Sequence, residues 1–313
     1  MTCKILMVAS PGGDRGPATG YRNHMKAFKY DSRFEIAELT EQMIHESKVL
    51  NSFDIIWAYV RFHPSIYNYF KAQNKIFVGG PNVLFERGDL GPTDDWEKSY
   101  CGLSNLDFHI NNSSYYLENV RKYLHPNTKT FTHEACYDLS DLPTFGKSVN
   151  RNNDVLVYYK QRINDDLTPA ILEEVEDKLR SKNLSYKILS YGNYNRSDFI
   201  DLLQTSRSCI WLSIEDYCSL AQIESHLSGC PVVGTKYNLT IPVCDDAIVD
   251  AQDFNQWISW KDPKIVANEF ILGVERILSR DGISKLSIDT SVDRHSYEKY
   301  TQKFFNEVNR IAC

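Results

Sequence analysis

Two carboxylates stand eight residues apart in the stretch 210–235, IWLSIEDYCSLAQIESHLSGCPVVGT. Asp216 falls in a turn, and Glu224 falls in the second turn of the helix that the spacing predicts over 219–228, closed by Gly229. The run before them reads as a strand, so one carboxylate stands at a strand's carboxyl end and the other on the helix that follows. Carboxylates placed this way can accept hydrogen bonds from the vicinal hydroxyls of a sugar or a ribose. By themselves the same residues also fit an exposed helix charge at Glu224 and a helix-dipole partner at Asp216.

Cations occupy a second strand end, in Tyr158-Tyr-Lys160-Gln-Arg162. Fixed cations there could stabilise the charge that develops on a departing diphosphate, or they could be a solvated strand end. A third stretch, SPGGDRGPATG at 10–20, follows a strand and opens a helix, so the bare N–H groups around Gly12 and Gly13 could hold an anion, with Arg15 beside them. Arg22 and Lys26 on that helix could meet an anionic acceptor or be surface charges. The loop is neither GxGxxG nor GxxxxGK[ST], which disfavours a dinucleotide site and a P-loop. His63 and His109 lie near the ends of strands read at 54–60 and 107–110, where each could line a reaction centre or be structural. The sequence has no GxSxG, no HExxH and no Asp-x-Asp.

The elements that must position these groups come in two series. Apolar runs at 4–9, 34–39, 54–60, 75–78, 107–110 and 128–131 alternate with helical spacing at 19–30, 64–72 and 113–124. After a polar stretch at 139–153 the alternation resumes. Strands read at 154–159, 185–190, 208–213 and 231–234, helices at 168–181, with Pro169 in its first position, and at 196–205 and 219–228. Long helices close the chain at 263–279 and 295–311. The fold class is therefore α/β, two doubly wound Rossmann-like domains whose strand ends face a central cleft. The domains are expected at 1–145 and 150–290, with the helix at 295–313 packing back on the first.

The chain of 313 residues is long enough for two cores, and 42% of it is hydrophobic. With Lys+Arg 35 against Asp+Glu 41 the net charge is −6, which disfavours a nucleic-acid partner. The excess acid sits in the second half. A basic amphipathic segment at 22–29 leaves only a peripheral membrane contact open. The N-terminal apolar run is too short for a signal or a membrane span, and the eight cysteines contain no CxxC, so a reducing, cytoplasmic setting without a zinc site is expected.

Asp216, seven intervening residues, Glu224 and then Gly229-Cys-Pro-Val-Val233 together resemble the signature of the retaining GT-B glycosyltransferases of family 4, with Asp in place of the usual first Glu. Ile188-Leu-Ser-Tyr-Gly192 and the helix and strand after it resemble the family's approach to that motif. The resemblance implies that Glu224 binds the nucleotide ribose and Asp216 the donor sugar, with Gly192, Tyr217, Ser219 and Leu220 in the donor site. It implies a diphosphate clamp at Lys160, for which Arg162 is the chemical second choice, because the family's second position falls on Asp165-Asp166. Gly12, Gly13 and Arg15 would border sugar and acceptor. The family's N-domain histidine slot reads Val78-Gly-Gly-Pro-Asn82, leaving His63 and His109 as candidates, with His133-Glu134 beside the cleft.

The activity so implied is metal-independent, anomer-retaining transfer of a sugar from a UDP- or GDP-sugar to a glycan, lipid or small molecule, with no cofactor and with closure of the cleft excluding water. The rival readings are a non-enzymatic two-domain ligand-binding protein, a GT-B enzyme of another reaction such as a nucleotide-sugar epimerase, and a glycosyltransferase acting on nucleic-acid bases.

Overall fold

A computed structural model describes residues 2–9, 18–40, 52–58, 75–80, 106–111, 121, 124–132, 134–139, 150–161, 165–214, 220–238, 246–254, 258–280 and 285–312. The chain divides into two compact units, Met1–Asp138 with Arg294–Cys313, and Leu139–Asp293.

The first unit is built on a parallel sheet of β1 (Cys3–Ala9), β2 (Phe34–Thr40), β3 (Ile55–Ala58), β4 (Ile76–Gly79), β5 (Phe108–Asn111) and β6 (Lys129–Thr132), in the order β2-β1-β3-β4-β5-β6. Helix α1 (Ala18–Tyr30) crosses from β1 to β2. The strand order turns back between β1 and β3, and open α/β sheets generally bind ligands beyond the carboxyl ends of the strands at such a place. The glycine loop leaves β1 at that end, and its residues 10–17 lie outside the described ones, as do most of the helices expected at 64–72 and 113–124.

The second unit repeats the plan. Strands β7 (Asn153–Lys160), β8 (Tyr186–Ser190), β9 (Ser206–Ser213), β10 (Val232–Gly234) and β11 (Ala247–Ile248) form a parallel sheet in the order β8-β7-β9-β10-β11. Helices α2 (Leu167–Ser181), α3 (Arg196–Thr205) and α4 (Leu220–Leu227) connect successive strands, and a short antiparallel pair, β12 (Gln252–Phe254) with β13 (Ile258–Trp260), precedes α5 (Pro263–Leu278). Alternate residues of each strand serve opposite faces. Val155, Val157, Ile210 and Leu212 pack under α2 and α5, whereas Leu156, Tyr158, Cys209 and Trp211 pack under α3. Tyr158 and Trp211, in register on β7 and β9, stack with ring centroids 4.1 Å apart.

One local reading needs correction. Helix α2 begins at Leu167, so Pro169 is its third residue, and the start is fixed by Asp165, whose carboxylate accepts from both the backbone N–H and the hydroxyl of Thr168. The helix read at 295–311 is α7 (Tyr297–Ala312), and a further helix, α6 (Lys285–His295), precedes it. They are separated by Ser296, whose hydroxyl oxygen accepts from the Lys299 N–H at 3.3 Å. Elements α6, β11, β12 and β13 went unread because they are short or carry a mixed pattern that neither period describes.

Helix α7 belongs to the core of the first unit. Phe304 stacks flat on Trp57 of β3 with centroids 5.1 Å apart and meets Phe28 of α1 edge-on at 4.9 Å. Tyr300 stacks on His24 of α1 at 4.8 Å. Each buried side chain of this size is worth about 1.5–3 kcal/mol, so α7 is a structural part of that core. Where the chain returns to the first unit, Arg294 grips Glu134 through two charge-assisted hydrogen bonds, at 2.9 and 2.5 Å.

Candidate functional site

The strand order of the second sheet turns back between β7 and β9, so a ligand of this unit is expected beyond Lys160 and Ser213, which are register partners at the ends of those strands. Sequence-chosen residues converge on that rim from three elements. Lys160 ends β7, and its ammonium lies 4.8 Å from the ring centroid of Tyr191, the residue after β8. Tyr191 is half exposed, and its N–H donates to the Tyr159 carbonyl at 2.8 Å, which fixes the turn to the sheet. Gly192 follows with φ of +86° and open space where a Cβ would stand, so a side chain there would be strained by the backbone and not by crowding.

Glu224 is the third contribution. It lies in the second turn of α4, which begins at Leu220 beyond the end of β9, and it is only 8% exposed. Its Oε1 accepts from the Arg196 Nε at 3.1 Å. Arg196 is the first residue of α3, a helix whose start is fixed by the side chain of Asn195 accepting from the Asp198 N–H. Glu224 is therefore neither the exposed helix charge nor a group buried without compensation.

The sequence reading missed Arg196, and it also missed the groups that hold the end of β9. Asn238, fully buried in the turn after β10, donates its amide to the carbonyls of Trp211 and Ser213 at 3.0 and 2.8 Å and accepts from the Thr235 N–H at 2.7 Å. Gln222 of α4 donates to the Asn238 carbonyl, and Gln252 donates to the Ile214 carbonyl at 2.6 Å while accepting from the Thr235 hydroxyl. Four buried polar side chains thus fix the strand end from which the acidic turn departs. A polar Thr-Lys-Tyr-Asn run directly after an apolar strand was the available signal, since buried amides and hydroxyls must be paired.

Asp216, Tyr217 and Ser219 lie outside the described residues, as do Arg162, His63, His133, Gly12, Gly13 and Arg15. His109 is described, and it is buried within its strand. It sits inside β5, pairs in register with Gly79 on one side and Thr130 on the other, and is closed off from solvent. Burial lowers its pKa to about 3, so the imidazole is neutral through the physiological range and belongs to the sheet interior instead of its rim. The histidine-free Val78-Gly-Gly run has its own reason. Gly80 adopts φ of +95°, and a Cβ there would stand 2.1 Å from the Ile110 carbonyl oxygen. Lys26 pairs with Asp138 at 3.0 Å, and Glu134 pairs with Arg294, both within the first unit.

Among the described residues no group of three or more His, Cys, Asp or Glu is poised to hold a metal ion, and no helix is long and apolar enough to cross a membrane.

By sequence the chain matches no family model and no curated protein. By structure it is similar to HepE of Anabaena in complex with UDP-glucose, with a TM-score of 0.66 at 12% identity over 98% of this chain and 100% of that one. It is similar to sucrose-phosphate synthase of Thermosynechococcus elongatus, with a TM-score of 0.66 at 11% identity over 99% of each chain. AviGT4, a glycosyltransferase involved in avilamycin A biosynthesis, gives 0.54 at 10% identity over 99% of this chain and 98% of that one. At such identities the likeness is one of fold, and it extends over both units: two Rossmann-like domains, the GT-B class.

Proposed function

We propose that this protein is a metal-independent, retaining glycosyltransferase that uses a nucleotide-diphosphate sugar, with the second unit as the nucleotide domain and the first as the acceptor domain. The observation that carries the reading is Glu224, a nearly buried carboxylate held by Arg196 on the helix that follows β9, beside the turn-back of the sheet. A carboxylate fixed there is suited to accept from the 2′- and 3′-hydroxyls of a ribose. HepE, similar in fold, binds UDP-glucose, which makes uridine diphosphate the first nucleotide to test.

In the reaction so proposed, the bond between the anomeric carbon and the diphosphate oxygen breaks with its electron pair leaving on the diphosphate. The acceptor oxygen forms the new bond to that carbon and gives up its proton. Lys160, steadied over the Tyr191 ring, stands at the strand end where the leaving charge would gather, and Arg162 and loop N–H groups complete the compensation. The retaining outcome and the sugar contact of Asp216 rest on the sequence resemblance. Metal independence rests on the absence of Asp-x-Asp from the sequence. A cytoplasmic setting is supported by the free thiols of Cys3, Cys136, Cys209 and Cys230.

Glu224→Ala is expected to raise the donor KM or lower kcat/KM by about a hundredfold, the loss of two hydrogen bonds to a charged group. Transfer from UDP-glucose or GDP-mannose to a panel of acceptors, followed with and without chelator, measures it. Unaltered kinetics in the alanine variant would remove the ribose assignment, and loss of turnover on chelation would remove metal independence.

A further inference from the structure

We infer that Arg196 is a positioning residue for nucleotide recognition: by holding the Glu224 carboxylate in one orientation it sets how strongly this protein distinguishes a ribose from a sugar lacking its 2′- and 3′-hydroxyls. The inference rests on the reading of Glu224 given above.

A carboxylate recognises a vicinal diol only if its plane is presented to it, and the terminal torsion of a glutamate is broad. In this protein the plane is fixed through Oε1 by the Arg196 Nε at 3.1 Å. The donor itself comes from a rigid place. Arg196 opens α3, whose first turn is tied by Asn195, its Oδ1 accepting from the Asp198 N–H at 2.9 Å and the Ser197 hydroxyl at 2.7 Å. The same side chain's Nδ2 donates to the Asp198 carboxylate at 2.7 Å. Phe199, Ile200 and Leu203 then seat the helix in the core beneath. The rotamer freedom given up to hold Glu224 is thus lost on folding, before any ligand arrives.

A role confined to stability fits the pair less well. The Arg196 side chain is 54% exposed and that of Glu224 11%, and an ion pair with one partner so open to solvent contributes at most about 1 kcal/mol to folding. What such an arginine can do at little energetic effect on the fold is orient a carboxylate that is itself shielded. The turn that leads into α3 also carries Tyr191, whose ring lies under the Lys160 ammonium, so the ring that steadies the clamp and the arginine that positions the carboxylate border one connection, 191–195.

The test is isothermal titration of the full chain with uridine diphosphate and with its 2′,3′-dideoxy form, and with the guanosine pair, for the natural protein and the variants Arg196→Ala, Arg196→Lys and Glu224→Gln. The natural protein should favour the ribonucleotide. Arg196→Ala should shrink that preference about tenfold, the worth of one hydrogen bond to a charged group, and leave the dideoxy affinity almost unchanged. The double variant with Glu224→Gln should lose no more than Glu224→Gln alone. Equal weakening of both nucleotides by Arg196→Ala would mark a structural role and overturn the inference. An unchanged preference would overturn it too, while loss of preference in Glu224→Gln kept the ribose reading intact. Should the alanine variant unfold, the lysine variant decides by the same ratio. Failure of the natural protein to bind either ribonucleotide would overturn the reading of Glu224 and this inference together.

Discussion

Asn238 shows how a fully buried side chain governs the rim. Among the described residues it is the amide that spans from the turn after β10 to two carbonyls at the end of β9, and nothing smaller or apolar could replace it. Asn238→Ala removes two donors and an acceptor from a closed, buried network, and the expected loss is about 2–4 kcal/mol. Urea denaturation followed by circular dichroism measures it, and an unchanged midpoint would show that the network does not hold β9. At this scale legibility in the sequence was uneven. Motif spacing or a strand end marks Glu224, Lys160 and Gly192 as candidates, and the structure places them on the helix after β9, at the end of β7 and in the turn after β8. Arg196 and Asn238 were not found, because their importance lies in which backbone or carboxylate they reach across the fold, and single-sequence spacing does not encode that. Burial is a related property that spacing does not encode: the strand read at 107–110 is β5, and the His109 ring within it is closed off from solvent.

The elements themselves were more readable. The continuous apolar runs of β7 and β9 follow from burial on both faces, and the starts of α3 and α5 follow from Asn195 and from Asp262 with Pro263. Helix α5 illustrates a requirement that spacing cannot reveal. Gly273 lets it approach β10 so closely that a Cβ would stand 2.4 Å from Val233 Cγ1 and 3.0 Å from Val249 Cγ1. Replacing a mid-helix glycine by alanine ordinarily gains about 1 kcal/mol of helix propensity. Two stiff, buried valines cannot swing away, and overpacking of this kind costs about 1–3 kcal/mol, so the clash is the larger effect. Gly273→Ala should therefore lower the thermal midpoint of the second unit; a rise would mean that α5 can shift outward. The short elements β11, β12 and β13 escaped reading because two or three residues carry no measurable period.

For the whole molecule, two buried histidines make a statement about acid. His24, sandwiched between Trp57 and Tyr300, and His109 in β5 both have their pKa lowered by burial to about 3, from about 6.5 in an open chain. The native state then binds fewer protons than the unfolded one, so the stability they support is present above pH 6.5 and is lost as pH falls toward 3. The slope is ~1.4 kcal/mol per pH unit for each histidine, confined to the first unit because both residues lie there. Guanidinium titrations at pH 7.0 and 5.0, before ordinary carboxylates protonate, should show the first unit weakened and the second nearly unchanged. Equal midpoints at the two pH values would mean that these imidazoles are charged in the folded state.

The packing of α7 among Phe28, Trp57 and Phe34 bears on the order in which the chain is completed during synthesis. On the ribosome the first 138 residues emerge with their aromatic core lacking Tyr300, Phe304 and Val308, while Leu139–Asp293 emerge as a contiguous stretch containing all of its own core. The unit translated second is therefore the one that can finish folding first, and the unit translated first waits, partly open, for a helix more than 150 residues downstream. Until that helix arrives, Trp57 and Phe28 lack the aromatic partner that Phe304 supplies in the finished core.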